Sequence, residues 1–208
     1  MIKRFFLSGL IASMMSGPIH AQDSTPNAHS IEQGKQLFQS CASCHGQDAE
    51  GQKALGAPPL AGQLPSYLER AMTEFASGKR GKEDHYAQQM SAMSGLLQNE
   101  AQRNAIVTYL SSLKTKDIQV PNRSSDAAYR LYQANCGGCH GVKAEGNKAL
   151  NSPRLAGMDA AYLQRQLEHF KSGKRGGSSR YAKQMQMMAN TLKNADDIAL
   201  VSKFISTL

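Results

Sequence analysis

Apolar side chains recur along this chain at the three-to-four-residue spacing of helices that bury one face. The spacing predicts a helix over about Ile31 to Ser40. A second begins at Pro65, a residue suited to a first helical turn, with Tyr67, Leu68, Met72 and Phe75 on one face and Gly78 as its stop. A third runs from about Asn99 to Leu113, with Ile106, Tyr109, Leu110 and Leu113. The same three patterns return further on. They cover Asp126 to Asn135, the segment carrying Tyr162, Leu163, Leu167 and Phe170 before Gly173, and Ala195 to Leu208 with Val201, Phe204, Ile205 and Leu208. Between the first and second helix of each set lies a stretch rich in Gly, Ala and Pro. No segment alternates as a strand would, so an all-α fold is expected.

The return of the pattern is a true repeat. Residues 41–97 align with residues 136–192 at a constant shift of 95 without gaps, and roughly half of the positions are identical. Shared stretches include Ala49–Gly51 with Ala144–Gly146, Leu60–Gly62 with Leu155–Gly157, and Ser77–Gly81 with Ser172–Gly176. Just upstream, LFQSC matches LYQANC with one residue inserted in the second copy. Two copies imply two similar domains, expected at 22–114 and 126–208. The polar segment 115–125, which contains Pro121, joins them as a short linker. Residues 1–21 read as a secretory signal, with Lys3 and Arg4 ahead of an apolar run from Phe5 to Met15 and a small residue, Ala21, at the expected cleavage point.

Composition sharpens this picture. The chain has 208 residues, a formal net charge of +8 and no Trp. Past the N-terminus no run approaches the roughly 20 apolar residues that span a bilayer. Two domains of this size have modest cores, so something beyond side chains is expected to complete them. Basic character could suggest nucleic acid, but an export signal excludes that partner. The repeated pairs Lys79–Arg80 and Lys174–Arg175 suit anionic groups on a cofactor, or a docking face for an acidic redox protein.

The chemistry lies in Cys41–His45 (CASCH) and Cys136–His140 (CGGCH). Two cysteines three apart on a helical turn can each form a thioether to one haem vinyl group, and the adjacent His then projects toward the iron. Cys41, Cys44, Cys136 and Cys139 are therefore the expected covalent attachment points of two haem c groups, with His45 and His140 as axial ligands. A four-Cys zinc site fits poorly, because the pairs lie far apart and neither His would be explained. Disulfides within each pair leave the repeated His equally unexplained.

Each iron then has a sixth position to fill. Of six His, only His45 and His140 occupy equivalent places, and His85 aligns with Arg180. Bis-histidine ligation is thereby disfavoured and a Met thioether favoured. Two positions hold Met in both copies, Met90 with Met185 and Met93 with Met188, and helical spacing alone does not separate them. Pro58 and Pro153 each follow their His by 13 residues and are placed to accept its Nδ1 hydrogen.

With these motifs in hand, the chain resembles the cytochrome c4 family of dihaem class I c-type cytochromes. The paired CxxCHG, the elements Pro58–Gly62 and Pro153–Gly157, the segments Phe75–Arg80 and Phe170–Arg175, and a Met with Leu seven residues later carry the likeness. That last spacing implies Met90 with Leu97 and Met185 with Leu192 as the ligand pattern. The segment between that Leu and the last helix is about one residue longer here than in the family's pattern. The resemblance implies two tandem homologous class I cytochrome c domains, each wrapped around one covalent haem, with the haems close together across the domain interface. It implies a monomeric periplasmic electron carrier rather than an enzyme, passing single electrons between redox protein partners toward a terminal oxidase. A peripheral membrane association is compatible with that role. The alternative is the dihaem subunit of an oxidoreductase complex, such as a flavocytochrome sulfide dehydrogenase.

Overall fold

The computed structural model describes residues 28–97, 99–115, 117–119, 126–175 and 179–208. The expected signal at 1–21 and most of the expected linker, 120–125, lie outside the described residues. Two helical units follow one another. In the first, α1 (Ala28–His45), α2 (Pro65–Ala76), α3 (His85–Gly95) and α4 (Glu100–Ser112) enclose the core. In the second, α5 (Ala127–Tyr132) continues through a π turn (Gln133–Gly137) into α6 (Gly138–His140), followed by α7 (Ala160–Lys171), α8 (Arg180–Ala189) and α9 (Ala195–Ile205). Among the described residues there are two isolated β-bridges, Gln52 with Ala57 and Asn147 with Ser152, and no strand.

The predicted helices are present with three differences. The first helix does not stop at the cysteines but runs on to His45, and its counterpart runs to His140. The residues of CASCH are small or helix-compatible, and continuing the helix aims the His inward. Second, each copy has a further helix, α3 and α8, carrying the Met pairs. Both were hidden because little of them is buried: Ala87 and Ser94 in α3, Ala189 in α8. Their caps were readable, since the Asp84 carboxylate accepts from Ala87 N–H at 2.7 Å and the Ser179 hydroxyl from Ala182 N–H at 3.3 Å. Third, the single residue inserted in the second copy is absorbed by the π turn at Gln133–Gly137. The extra residue widens one turn, and the Cys–Cys–His triplet keeps its setting.

Each unit has its own apolar core. Phe38, Leu68, Ile106, Val107 and Leu110 are buried in the first, and Tyr132, Leu163, Leu192, Val201 and Phe204 in the second. The first and last helices of each unit, α1 with α4 and α5 with α9, pack on one another. At the α1–α4 contact Gly34 is obligatory, because a Cβ there would lie 2.1 Å from the Ala105 carbonyl oxygen. The equivalent residue in the second copy is Ala128, itself buried, so that contact has room for a methyl group.

Gly34→Ala should therefore destabilise the first unit by about 1–3 kcal/mol, because backbone must move aside. Ala128→Gly should cost only roughly 0.5–1 kcal/mol, the usual helical Ala-to-Gly penalty. Guanidinium unfolding of both variants checks the order.

Candidate haem sites and the wall between them

The cofactor sites begin with the loop after each CxxCH. Gly51 N–H donates to the His45 carbonyl at 2.7 Å, and Gly146 N–H to that of His140 at 2.8 Å. Ala49 and Ala144, both fully buried, take positive φ of 56° and each accepts two backbone N–H groups, from Leu60 and Ala61 and from Leu155 and Ala156. A Cβ on Gly51 would come within 2.6–2.9 Å of the Ala57–Pro59 backbone. Glycine thus lets the loop fold tightly enough to bring the proline carbonyl to the imidazole. His45 Nδ1 lies 2.9 Å from Pro58 O, and His140 Nδ1 lies 2.8 Å from Pro153 O.

A carbonyl oxygen only accepts, so Nδ1 carries the proton and Nε2 is left with a bare lone pair. Burial holds both imidazoles below their ordinary pKa, against the opposing effect of the proline hydrogen bond. The His45 Nε2 lone pair faces Met90 Sδ at 3.5 Å. Sulfur is also an acceptor, so two lone-pair donors confront each other with no proton between them. Two such donors with no proton between them form a ligand set for a metal cation.

Around this pair lies a cavity of about 470 Å³, lined by Cys41, Cys44, His45, Pro58, Met90 and Met93. The second cavity is smaller, about 130 Å³, with Cys136, Cys139, His140, Pro153, Met185 and Met188 on its lining. All expected attachment and ligand residues thus gather at two cavities, one per copy. No disulfide joins Cys41, Cys44, Cys136 and Cys139. Burial raises the Cys41 pKa and pushes Cys136 up to about 12, with Cys139 adding to the latter. Such thiols are poor thiolates for redox exchange. Among the described residues no group of three His, Cys, Asp or Glu side chains could hold a metal ion, so the two Cys pairs do not converge on a zinc site. His85 is exposed and stacks on Tyr86, with centroids 3.8 Å apart.

The two cavities share a wall made of Tyr67, Ala71, Arg80, Met158, Tyr162 and Gln166. The contacts across it come in exchanged pairs, each residue and its counterpart 95 positions on swapping roles. Arg70 donates to Asn151 O at 3.4 Å and lies over the Tyr181 ring at 4.2 Å. Arg165 donates to Gly56 O at 3.1 Å and lies over the Tyr86 ring at 4.1 Å. Arg175 donates to the Tyr67 hydroxyl at 3.4 Å, and Arg80, which donates to Gln166 Oε1 at 3.3 Å, lies near enough to Tyr162 to act on its hydroxyl electrostatically. Each of these last arginines also covers its own Phe, Arg80 over Phe75 at 4.2 Å and Arg175 over Phe170 at 4.5 Å. For Tyr67, burial raises the pKa, but Arg175 and Arg80 outweigh it and bring it down to about 8.

Arg80 is therefore buried in the wall, while Lys79 and Lys174 stay exposed. The wall went unforeseen apart from these arginines. Its signal was the repeated Tyr-Leu-x-Arg at Tyr67–Arg70 and Tyr162–Arg165, which sets a cation on an otherwise apolar helix face. Some bridges are one-sided. Gln63 exchanges two hydrogen bonds of 2.9 Å with the Arg154 backbone. Asp84 lies 3.2 Å from Arg165 and 3.7 Å from His169.

Tandem helical units that each gather a CxxCH, a proline-held imidazole and Met side chains at one cavity are c-type haem domains. Residues 31–114 and 125–208 each match the family description Cytochrome c. The cytochrome c4 of Azotobacter vinelandii is 31% identical over 81% of this chain and 84% of its own. A thiosulfate dehydrogenase electron acceptor of Thiomonas intermedia is 34% identical over 66% of this chain and 65% of its own. The reduced recombinant cytochrome c4 structure from Pseudomonas stutzeri superposes with a TM-score of 0.68 at 26% identity, covering 86% of this chain and 98% of that one. The chain belongs to the cytochrome c family, as a dihaem electron carrier of the cytochrome c4 type with two covalent haem c groups. Among the described residues no helix is long and apolar enough to cross a membrane.

Because burial depresses the pKa of His45 and His140 in the folded state, the unfolded chain takes up protons first as pH falls. Their contribution is complete above the unfolded value of about 6.5 and is lost as pH falls toward the depressed folded values. Guanidinium midpoints should be level from pH 8 to about pH 7 and drop toward pH 5; a midpoint that rises on acidification would contradict the burial of both rings.

Proposed function

We propose that this protein is an exported, periplasmic carrier of single electrons, with His45 and Met90 as the axial ligands of the first haem iron and His140 and Met185 as those of the second. Cys41 with Cys44, and Cys136 with Cys139, form the thioethers. Donor and acceptor are redox proteins, and a terminal oxidase is the acceptor the family resemblance suggests. The observation that carries the reading is the bare His45 Nε2 facing Met90 Sδ at 3.5 Å. Met185 holds the equivalent place in the second copy and lines its cavity.

Bound haem supplies one-electron exchange at iron. The protein's residues do the rest. The proline carbonyls hold each imidazole in the tautomer that presents Nε2 inward. The Met thioethers favour the reduced iron and close the sixth position to substrates. The Tyr and Arg side chains of the shared wall keep water out between the two cavities and offer cations to haem carboxylates. A second reading has support from the likeness to a thiosulfate dehydrogenase electron acceptor. In that reading the same dihaem unit serves an oxidoreductase directly, as in the flavocytochrome alternative, and an enzyme partner co-purifies with it.

Mass spectrometry of protein matured in a competent host should find two covalent haems per chain. Met90→Ala should lower the first haem's potential and remove its Met-to-iron charge-transfer band, while Met93→Ala keeps both bands and costs packing stability alone. The opposite pattern would assign Met93 and Met188 as the ligands. Rapid azide or cyanide binding at neutral pH would indicate an open iron and overturn the carrier reading.

A further inference from the structure

The two haem cavities are built alike, so each serves as the control for the other. Consider the exposed positions beside the segments that line them. At the second cavity the cations among these are Lys143, just past His140, Lys148, just before Asn151 and Ser152, and Lys183, on the helix that carries Met185, with the exposed Glu145 between the first two and its counterpart Glu50 in the same place at the first cavity. The counterparts of the three lysines at the first cavity are Asp48, Lys53 and Gln88. Lys53 is tied to Asp159 at 3.0 Å.

Exposed large apolar side chains lean the same way, with three beside the second cavity against Leu55 and Leu96 beside the first, Leu96 being 63% exposed next to the lining Leu97. Val142, Leu150 and Met187 are 56%, 48% and 65% exposed. Their counterparts are Gln47, Leu55 and Ala92, of which Leu55 alone is a large apolar residue.

The asymmetry extends to whole units. Residues 31–114 contain eight Lys and Arg against eight Asp and Glu, whereas residues 125–208 contain twelve against six. Each haem adds the same charge to its own unit, so the difference survives cofactor binding.

We propose that the surface around the second haem cavity is the docking port for an acidic electron-transfer protein, and that the first haem does not serve this partner. The inference rests on the carrier reading above. An apolar patch rimmed by cations matches a partner whose redox centre is ringed by carboxylates. Opposite charge steers the encounter, and the apolar side chains exclude water once it forms. The cations flank the segments that hold the cofactor. Attachment there shortens the electron's path, whereas a lipid surface at the same place would block access to the haem. That favours a protein over a membrane.

The test uses the holoprotein and plastocyanin, an acidic blue-copper protein, as the probe, with electron exchange followed by stopped flow. The triple variant Lys143→Gln, Lys148→Gln, Lys183→Gln should lower the second-order rate constant about tenfold at low ionic strength and flatten its salt dependence. The matched triple variant Lys35→Gln, Lys82→Gln, Lys114→Gln removes the same charge from the first unit and should leave the rate within about twofold. Equal losses in both variants would reduce the effect to net charge and overturn the proposal, as would no loss in the first. If instead the first triple variant loses only binding to phosphatidylglycerol vesicles, the basic face belongs to a membrane and the proposal is overturned. Oxidation of the ferrous protein by tris(1,10-phenanthroline)cobalt(III), a small cationic oxidant that no lysine rim attracts, is the separate check. A protein that this reagent cannot oxidise fails as a carrier, whatever its docking face.

Discussion

The hydrogen bond from the histidine Nδ1–H to the proline carbonyl is the constraint on which each domain depends. It decides the tautomer, and so which nitrogen can meet a metal. For the bond to exist, a helix must continue through two cysteines to deliver the His, and the chain must then turn back within a few residues to deliver the Pro. The positive-φ alanine and the glycine pressed against the proline backbone are what make that return possible. The Met helix then closes the opposite side. Cavity, imidazole and core are arranged around one polar contact between 2.8 and 2.9 Å long.

Much of this was legible beforehand. The CxxCH motifs carry their chemistry in the spacing of three residue types, and repetition at a constant shift made coincidence untenable. The proline contact was readable because it too recurs at a fixed distance from the His. The Met helices were not, because a helix facing a cofactor has its apolar side chains against a group absent from the sequence, so its pattern looks polar. The wall was hard to read for a related reason. Arg70 and Arg165 satisfy their guanidinium groups on the backbone of the other unit, and a pattern within one unit cannot show which distant carbonyl accepts them. The π turn was foreshadowed by the single inserted residue; what the alignment did not show was that the helix would swallow it.

The two copies have diverged where the fold permits it. The CxxCH residues, the prolines, the Met pairs and the exchanged arginine–tyrosine pairs are the same in both, while other lining positions differ, such as Met72 against Leu167 and Ser94 against Ala189. Further differences lie in charge at exposed positions and in one-sided bridges such as Asp84 with Arg165 and His169. These leave the scaffold unaltered while giving each iron its own electrostatic surroundings, which is a requirement for two chemically identical cofactors to do unequal work.

The exchanged contacts across the wall have a further consequence. A surface on which each residue meets the counterpart of its own neighbour is self-complementary, and self-complementarity is the signature of an interface between two identical subunits related by a two-fold axis. A chain with a single copy of this unit would already possess both halves of the contact and could pair with itself. Fusing the copies converts that bimolecular association into an intramolecular one, at an effective concentration on the order of millimolar. Association no longer limits how well the halves must fit, and either half is then free to change alone.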